Sequence, residues 1–313
     1  MKVRVAEVVD EAVGVRALKL VRDDGAPFDA YRAGAHVDVT GPTGVLRQYS
    51  LCGRPDDRES LLIAVKREPE SRGGSVALHA VEVGEHLEVS APRNLLGIAE
   101  QAERHVLVAG GIGVTPLLGM AHELHRVGAE FELHYFARTR DEAAFADLLE
   151  HEFREDVHLH FGVPRADQPA LLAEVAGQLT PAAHVYTCGP QGFMDQVTGV
   201  FAPVVGEDHV HVEHFTAAEV DTSADTSFTV ELDTGEVFEV PADKSILAVL
   251  EEGGVDVAKS CEEGICGSCV SGVLEGVPDH RDNCLSSSDR AAGDQMALCV
   301  SRALCDKLVI ELY

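Results

Sequence analysis

The chain has 313 residues, 45% of them apolar and 25% charged, and its 53 acidic against 25 basic side chains give a formal net charge of −28. At this length a single hydrophobic core is outgrown and several domains are expected, and the composition excludes a disordered or fibrous chain. So acidic a molecule excludes nucleic acid as a partner, since phosphates are met by basic surfaces; a basic protein fits it better.

No window comes near the roughly 20 apolar residues of a spanning helix, and the opening MKVRVAEVVDEAVGV carries charges where a secretory leader has its apolar stretch. A cytoplasmic monomer that does not enter membranes is expected. In that compartment eight cysteines do not read as a disulfide framework.

Residues 1–102 alternate short β-prone runs, VDVT at 37–40 and LLIAV at 61–65 among them, with Gly, Pro and Asp turns. This is the rhythm of a small antiparallel barrel. Over 103–216 apolar strands alternate with helical runs: HVLVAGGIGVTPLLGMAHELHRVG, FELHYFA, DEAAFADLLEHEF, DVHLHFG, then AHVYTCGP and DHVHVEHF. That alternation predicts a parallel sheet covered on both faces. The next stretch, TAAEVDTSADTS, is small, polar and acidic, and 217–226 is predicted as a linker. From 227 to 313 a third domain opens with FTVEL, the turn DTGE and VFEVP, a hairpin pattern. Ser245 is expected to cap the helix ILAVLEE, and Gly253-Gly254 to end it.

The cysteines of this third domain carry the strongest signal. Cys261, Cys266 and Cys269 are spaced C-x4-C-x2-C and Cys299 follows after 29 intervening residues, the plant-type ligand pattern for a 2Fe-2S cluster. Two ferric ions and two sulfides need four soft thiolates from a loop wrapped around them, with Gly264 and Gly267 letting backbone amides approach. Structural zinc more often shows two separated C-x2-C knuckles, and only one such pair is present. Cys284 and Cys305 do not fit the spacing and are read as core or near-surface thiols.

In VLVAGGIGVTPLLGM a strand runs into Gly110, Gly111 and Gly113, then a helix begins near Thr115-Pro116. Such a turn lets the main chain pass close to a pyrophosphate and offers it a helix N-terminus. The spacing departs from G-x-G-x-x-G, and a plain tight strand-to-helix turn is the competing reading. A second turn, Cys188-Gly189-Pro190, follows a later strand of the same sheet. Both loops then lie at the carboxyl edge, where ligands of such folds bind; a lone cysteine is more often an ordinary buried thiol, but the place of Cys188 beside Gly189-Pro190 favours a position facing the nicotinamide.

Arg47-Gln48-Tyr49-Ser50-Leu51 lies between two predicted barrel strands and offers a cation for phosphate, a ring for a flat heterocycle and a hydroxyl for its edge. Ser71-Arg72-Gly73-Gly74-Ser75 precedes the helical run VALHAV. Neither segment decides the matter alone.

In order, RQYSL, SRGGS, AGGIGVTP, YTCGP and the four-cysteine loop resemble the phthalate dioxygenase reductase family across essentially the whole chain. That family lies within the ferredoxin-NADP reductase-like superfamily, with the ferredoxin domain at the C-terminus. The resemblance implies a flavin-binding antiparallel β-barrel, an α/β nucleotide domain and an α+β, β-grasp-type plant ferredoxin domain. It implies that Arg47, Tyr49, Ser50, Gly74 and Ser75 bind the flavin, with Ser50 near its reactive N5. Gly110, Gly111, Gly113, Thr115, Pro116 and the turn Cys188-Gly189-Pro190 would bind the nicotinamide nucleotide, and Phe215, after Glu213-His214, would pack on the flavin. The domain arrangement is that of the FMN-using branch, with FAD the alternative. NADH is favoured by the resemblance, while Arg138 and Arg140 after the second strand of the sheet keep NADPH open.

A nicotinamide gives up two electrons as a hydride and a cluster accepts one, so a flavin between them explains three domains. Hydride transfer is expected between Ser50 and Cys188, followed by single-electron transfer to the cluster and outward. The expected acceptor is a terminal oxygenase, a Rieske non-haem iron enzyme, docking near the acidic ferredoxin domain; a haem-thiolate monooxygenase is the second candidate. An electron-carrier or redox-sensing module with a degenerate nucleotide site is the reading from a different class.

Overall fold

The computed structural model describes residues 1–68, 73–218 and 220–312. They form two compact units, Met1–Glu213 and His214–Tyr313.

The first unit opens with strands β1 (Lys2–Ala12), β2 (Val15–Arg22), β3 (Ala35–Thr40), β4 (Leu46–Ser50), β5 (Leu61–Lys66), β6 (His86–Val89) and β7 (Arg93–Asn94), with the short helix α1 (Gly74–His79) between β5 and β6. The strands pair antiparallel in the order β4-β3-β6-β1-β2-β5, with β7 on β3. A bridge from Leu51 to Ile63 ties the end of β4 to β5 and closes the barrel. Alternate residues such as Val3, Val5, Leu18, Leu20, Val37 and Val39 are fully buried inside it, as a period of two requires. RQYSL is not a connection between strands: residues 46–50 are β4 itself, paired along β3 from Thr40↔Leu46 to His36↔Ser50. With polar residues at 47, 48 and 50 it lacks the apolar alternation that announces a strand. Its partner strand, not its own pattern, makes it one.

Five parallel strands follow: β8 (Arg104–Gly110), β9 (Phe131–Ala137), β10 (Val157–Phe161), β11 (Ala183–Cys188) and β12 (Val210–Glu213), in the order β10-β9-β8-β11-β12. Leu107, Tyr135 and Tyr186 pack against helix α2 (Val114–Val127) on one face. DEAAFADLLEHEF is α-helical only over α3 (Ala146–Glu152), after a 3₁₀ turn that ends at Glu142. Phe145 turns into the left-handed region, φ 62°, and buries its ring, which stops the helix from starting earlier. On the other face Val106, Val108, Phe136 and Val185 pack against Leu172 of α4 (Gln168–Ala176) and Phe193, Met194, Val197 and Phe201 of α5 (Gln191–Val205). Burial on both faces is why VLVA reads as one continuous apolar run.

In the second unit β13 (Phe228–Leu232) and β14 (Val237–Val240) form the expected hairpin. With β15 (Val270–Glu275), β17 (Gln295–Ala297) and β19 (Lys307–Glu311) they make a mixed sheet in the order β14-β13-β19-β15-β17, and β16 (Pro278–Asp279) pairs with β18 (Arg302–Ala303). Ser245 Oγ accepts from Ala248 N at 3.1 Å and caps the helix Ile246–Glu252, whose end is followed by Gly254 at φ 83°. Asp225 is held by Arg281 through two bonds of 2.9 and 2.6 Å, and Arg302 lies 3.5 Å away.

Candidate functional site

At the carboxyl edge of the parallel sheet β8 and β11 are neighbours, with Cys188 paired to Ala109. The loops that leave them touch through the backbone: a Cβ at Gly113 would run into the carbonyl of Cys188. Only glycine allows that approach, so the two predicted nucleotide segments form one structure. Gly111 takes φ 57° in a short 3₁₀ turn, and α2 starts at Val114 with Pro116 in its first turn. Thr115 is buried and its hydroxyl donates to Ile112 O at 3.0 Å, so it braces the turn from within. Gly189-Pro190 leads into α5, where the amides of Phe193 and Met194 bond back to Pro190 O.

On the barrel side Ser50, at the end of β4, is buried, and Tyr49 packs against the barrel core. Burial pushes the Tyr49 hydroxyl up to about 12. Gly74 lies close against Val45 and Arg47: a Cβ there would stand 3.2 Å from Val45 Cγ1 and 3.3 Å from Arg47 Cγ, so a side chain fits only if both give way. Ser75 Oγ accepts from Glu68 N at 3.0 Å. Ser71 and Arg72 of the same motif lie outside the described residues.

Glu213 connects the two halves of this unit. Across the parallel pair β11–β12 it sits opposite Cys188, and Ser50 Oγ points at its Oε1 at 3.5 Å. Its other oxygen, Oε2, is buried without a hydrogen-bond partner. Burial pushes the Glu213 carboxyl up to about 8, against the opposing pull of the Ser50 hydroxyl. Burial first, and then the nearby Glu213, hold the Cys188 thiol well above its ordinary value, so Cys188 is a neutral thiol and not a nucleophile. A serine hydroxyl, a neutral thiol and a protonated carboxyl thus converge from three strands. Phe215 belongs to the second unit and is 38% exposed.

In the second unit Cys266, Cys269 and Cys299 are buried and Cys261 is partly exposed. The loop turns through left-handed Glu262, Gly264 and Gly267, which brings amides toward sulfur: Glu263 N reaches Cys261 Sγ at 3.3 Å and Ser268 N reaches Cys266 Sγ at 3.5 Å. The sulfurs associate in two pairs, Cys261 with Cys266 and Cys269 with Cys299. Around a single tetrahedral zinc all four would lie about 3.8 Å apart, given Zn–S of about 2.3 Å. Among the described residues no three of these sulfurs lie within 4.8 Å of one another. Two thiolates for each of two irons fits this donor set. Cys284 faces Asp282 Oδ2 at 3.4 Å, and Cys305 accepts from Val277 N at 3.2 Å, so neither joins the four.

Residues 230–304 match the family model of the 2Fe-2S iron-sulfur cluster binding domain. The vanillate O-demethylase oxidoreductase of Pseudomonas putida is 44% identical, over 97% of each chain. The phthalate dioxygenase reductase of Burkholderia cepacia is 39% identical over 100% of this chain and 97% of its own. A solved phthalate dioxygenase reductase, described as a modular structure for electron transfer from pyridine nucleotides to [2Fe-2S], superposes with a TM-score of 0.72 at 38% identity, covering 100% of this chain and 98% of that one. The chain belongs to the phthalate dioxygenase reductase family. It is an oxidoreductase with that family's fold. An intact self-sufficient type IV cytochrome P450 monooxygenase gives a TM-score of 0.90 at 38% identity, and this reductase spans 40% of that longer chain.

Sequence reasoning for this reductase named the segment Glu213-His214-Phe215 but placed the weight on Phe215. The carboxylate two residues earlier is the group that the structure brings to Ser50 and Cys188. Its position as the last residue of a strand at the carboxyl edge was the available signal. Arg165 was missed as well: its guanidinium lies over Gly192 at the start of α5, beside the Cys188-Gly189-Pro190 turn, where a side chain at 192 would collide with it. Arg140, by contrast, is bound by Asp147 and Glu150 and does not stand free for a phosphate.

Proposed function

We propose that the chain takes electrons from NADH onto FMN and passes them singly through its 2Fe-2S cluster to a terminal oxygenase, a Rieske non-haem iron enzyme. The observation that carries this reading is the convergence of Ser50, Cys188 and Glu213 in one unit of a chain whose other unit holds paired cluster cysteines. A bound flavin accepts a hydride and releases electrons one at a time. In this reading Arg47, Gly74 and Ser75 hold the FMN phosphate, and Tyr49 packs along the ring. The turns at Gly110-Gly111-Gly113 and Cys188-Gly189-Pro190, with Thr115 and Pro116 behind them, hold the nucleotide. Ser50 and Cys188 define the gap where the reacting rings meet. Glu213, neutral below about pH 8, keeps a proton beside the Ser50 hydroxyl and leaves no buried charge near the gap.

NADH is favoured over NADPH because Arg140 is neutralised by two carboxylates, leaving Arg138 as the exposed cation after β9. Residues 1–102, 103–216 and 227–313 are read as flavin, nucleotide and ferredoxin domains joined by 217–226. Among the described residues no helix is long and apolar enough to cross a membrane; a monomer working in the cytoplasm is part of the same proposed reading.

Residues 227–313 hold 17 acidic and 6 basic side chains, and Lys244, Lys259, Arg281, Arg290, Arg302 and Lys307 are all paired with carboxylates. The unpaired charge is therefore negative and suits a basic docking face. Electron transfer to the oxygenase is expected to slow as salt rises; a rate independent of salt removes the steering argument.

The function is tested by following NADH oxidation with cytochrome c or ferricyanide as acceptor. Steady turnover is expected, and none with either nucleotide would leave only a carrier or sensor. The likeness to the reductase portion of a P450 fusion favours a haem-thiolate acceptor as the second reading. Purified oxygenases of both types, offered in parallel, separate the two.

A further inference from the structure

Outside the redox site, strands β9 and β10 gather ligand-type side chains that the electron path does not use. The two strands are parallel with His158 in register with His134, and Glu132, two residues before His134, lies on the same face. One ligand atom from each of Glu132, His134 and His158 falls within 4.8 Å of the others, the one such trio among the described residues. His134 is buried, Glu132 half-buried and His158 exposed, so the group opens to solvent on one side.

The donor atoms point inward. His134 Nε2 lies 3.3 Å from Glu132 Oε2 and Arg104 Nη2 the same distance from Glu132 Oε1, but neither His134 Nε2 nor Glu132 Oε1, both buried, makes a well-formed hydrogen bond, so each keeps capacity for a further partner. On the far side of the ring, His134 Nδ1 meets His160 Nε2 at 3.1 Å. In the tautomer that donates its Nδ1 proton to His160, His134 presents its Nε2 lone pair to the site, which is how a histidine ligand is oriented by a neighbour behind it. We propose that Glu132, His134 and His158 form a binding site for a divalent transition-metal ion of the zinc kind, with His160 positioning His134 and water completing the coordination.

Two imidazoles, one carboxylate and open positions are a common donor set for zinc. Arg104 Nη2 stands 3.3 Å from Glu132 Oε1; a carboxylate has lone pairs for both partners, but the nearby positive charge weakens a dication's binding. Micromolar affinity is therefore expected, and not the far tighter binding of a four-thiolate site.

The test is calorimetric titration of ZnCl2 into the holoenzyme, with the flavin and cluster spectra followed to show that both remain in place. One saturable site per chain is expected. His158→Ala, at an exposed position, should abolish it or weaken it at least tenfold, as should Glu132→Gln. His160→Ala, which leaves the three ligands intact, should weaken it about tenfold. His209→Ala, elsewhere in the same unit, should leave it unchanged. Absence of a saturable site, or one that survives both His158→Ala and Glu132→Gln at full affinity, overturns the proposal.

Discussion

The four-cysteine loop and the proposed hydride-transfer gap are built in opposite ways. Three of the four cluster cysteines lie within nine consecutive residues, Cys261 to Cys269, and the loop bends its own amides onto their sulfurs. Ser50, Cys188 and Glu213 come instead from three strands spread over more than half the chain. Each is ordinary by itself, and only the pairing of β11 with β12 and the closeness of Ser50 to Glu213 make them a set. A site gathered mostly in one loop is written in spacing; a site shared by strands is written in topology.

The sharpest way to break that comparison is Cys266→Ser. Cytochrome c reduction should fall to background while NADH still reduces the flavin at close to the parent rate, and unaltered cytochrome c reduction would put the cluster off the path. Next in size is Gly113→Ala. The added methyl meets the Cys188 carbonyl, so both nucleotide loops must shift, and a displacement of about 1 Å can cost on the order of 100-fold in rate. Rapid-mixing measurement of flavin reduction by NADH checks it, and an unchanged rate would mean that the loops do not position the nucleotide.

Glu213→Gln has a subtler signature. The carboxyl rises from an ordinary value of 4.5 to about 8 in the folded chain, so the folded form keeps a proton that the unfolded form has lost. Stability from this group is full below pH 4.5 and is shed as pH climbs toward 8. At about 1.4 kcal/mol per pKa unit, the whole window amounts to a few kcal/mol. Glutamine should flatten that slope in denaturant titrations across the window and remove any inflection near pH 8 from flavin reduction; the same slope in both proteins would rule out Glu213 as its source. The smallest effect belongs to the locally written half: Ser245→Ala removes the cap on Ala248 N and should destabilise the ferredoxin unit by about 1 kcal/mol, read from its melting, with flavin reduction untouched. No change in that melting would mean that water replaces the cap at no cost.

Much of the chain was legible in advance because its signals are local. The alternation of strands and helices gave the parallel sheet, the DTGE turn gave the hairpin, and Ser245 gave a helix start. β4 escaped because LRQYS has no alternating apolar face, and the helix expected from Asp141 begins five residues later because Phe145 turns its ring into the core. The segment predicted as a linker carries Asp225, which is tied down by Arg281 more than fifty positions later, a partner that local composition does not show.

By itself the sequence determined the 2Fe-2S type of the last domain, the strand-turn-helix that presents Gly110 to Gly113, and the surplus of negative charge, because these depend on residue type and local spacing. Tertiary structure alone decided that Glu213 stands against Ser50 and Cys188, that Arg140 is already neutralised, and that Glu132, His134 and His158 share one face of neighbouring strands. These depend on which strands pair and in what register, and on the loss of water where they meet. Neither is visible until the chain has closed on itself.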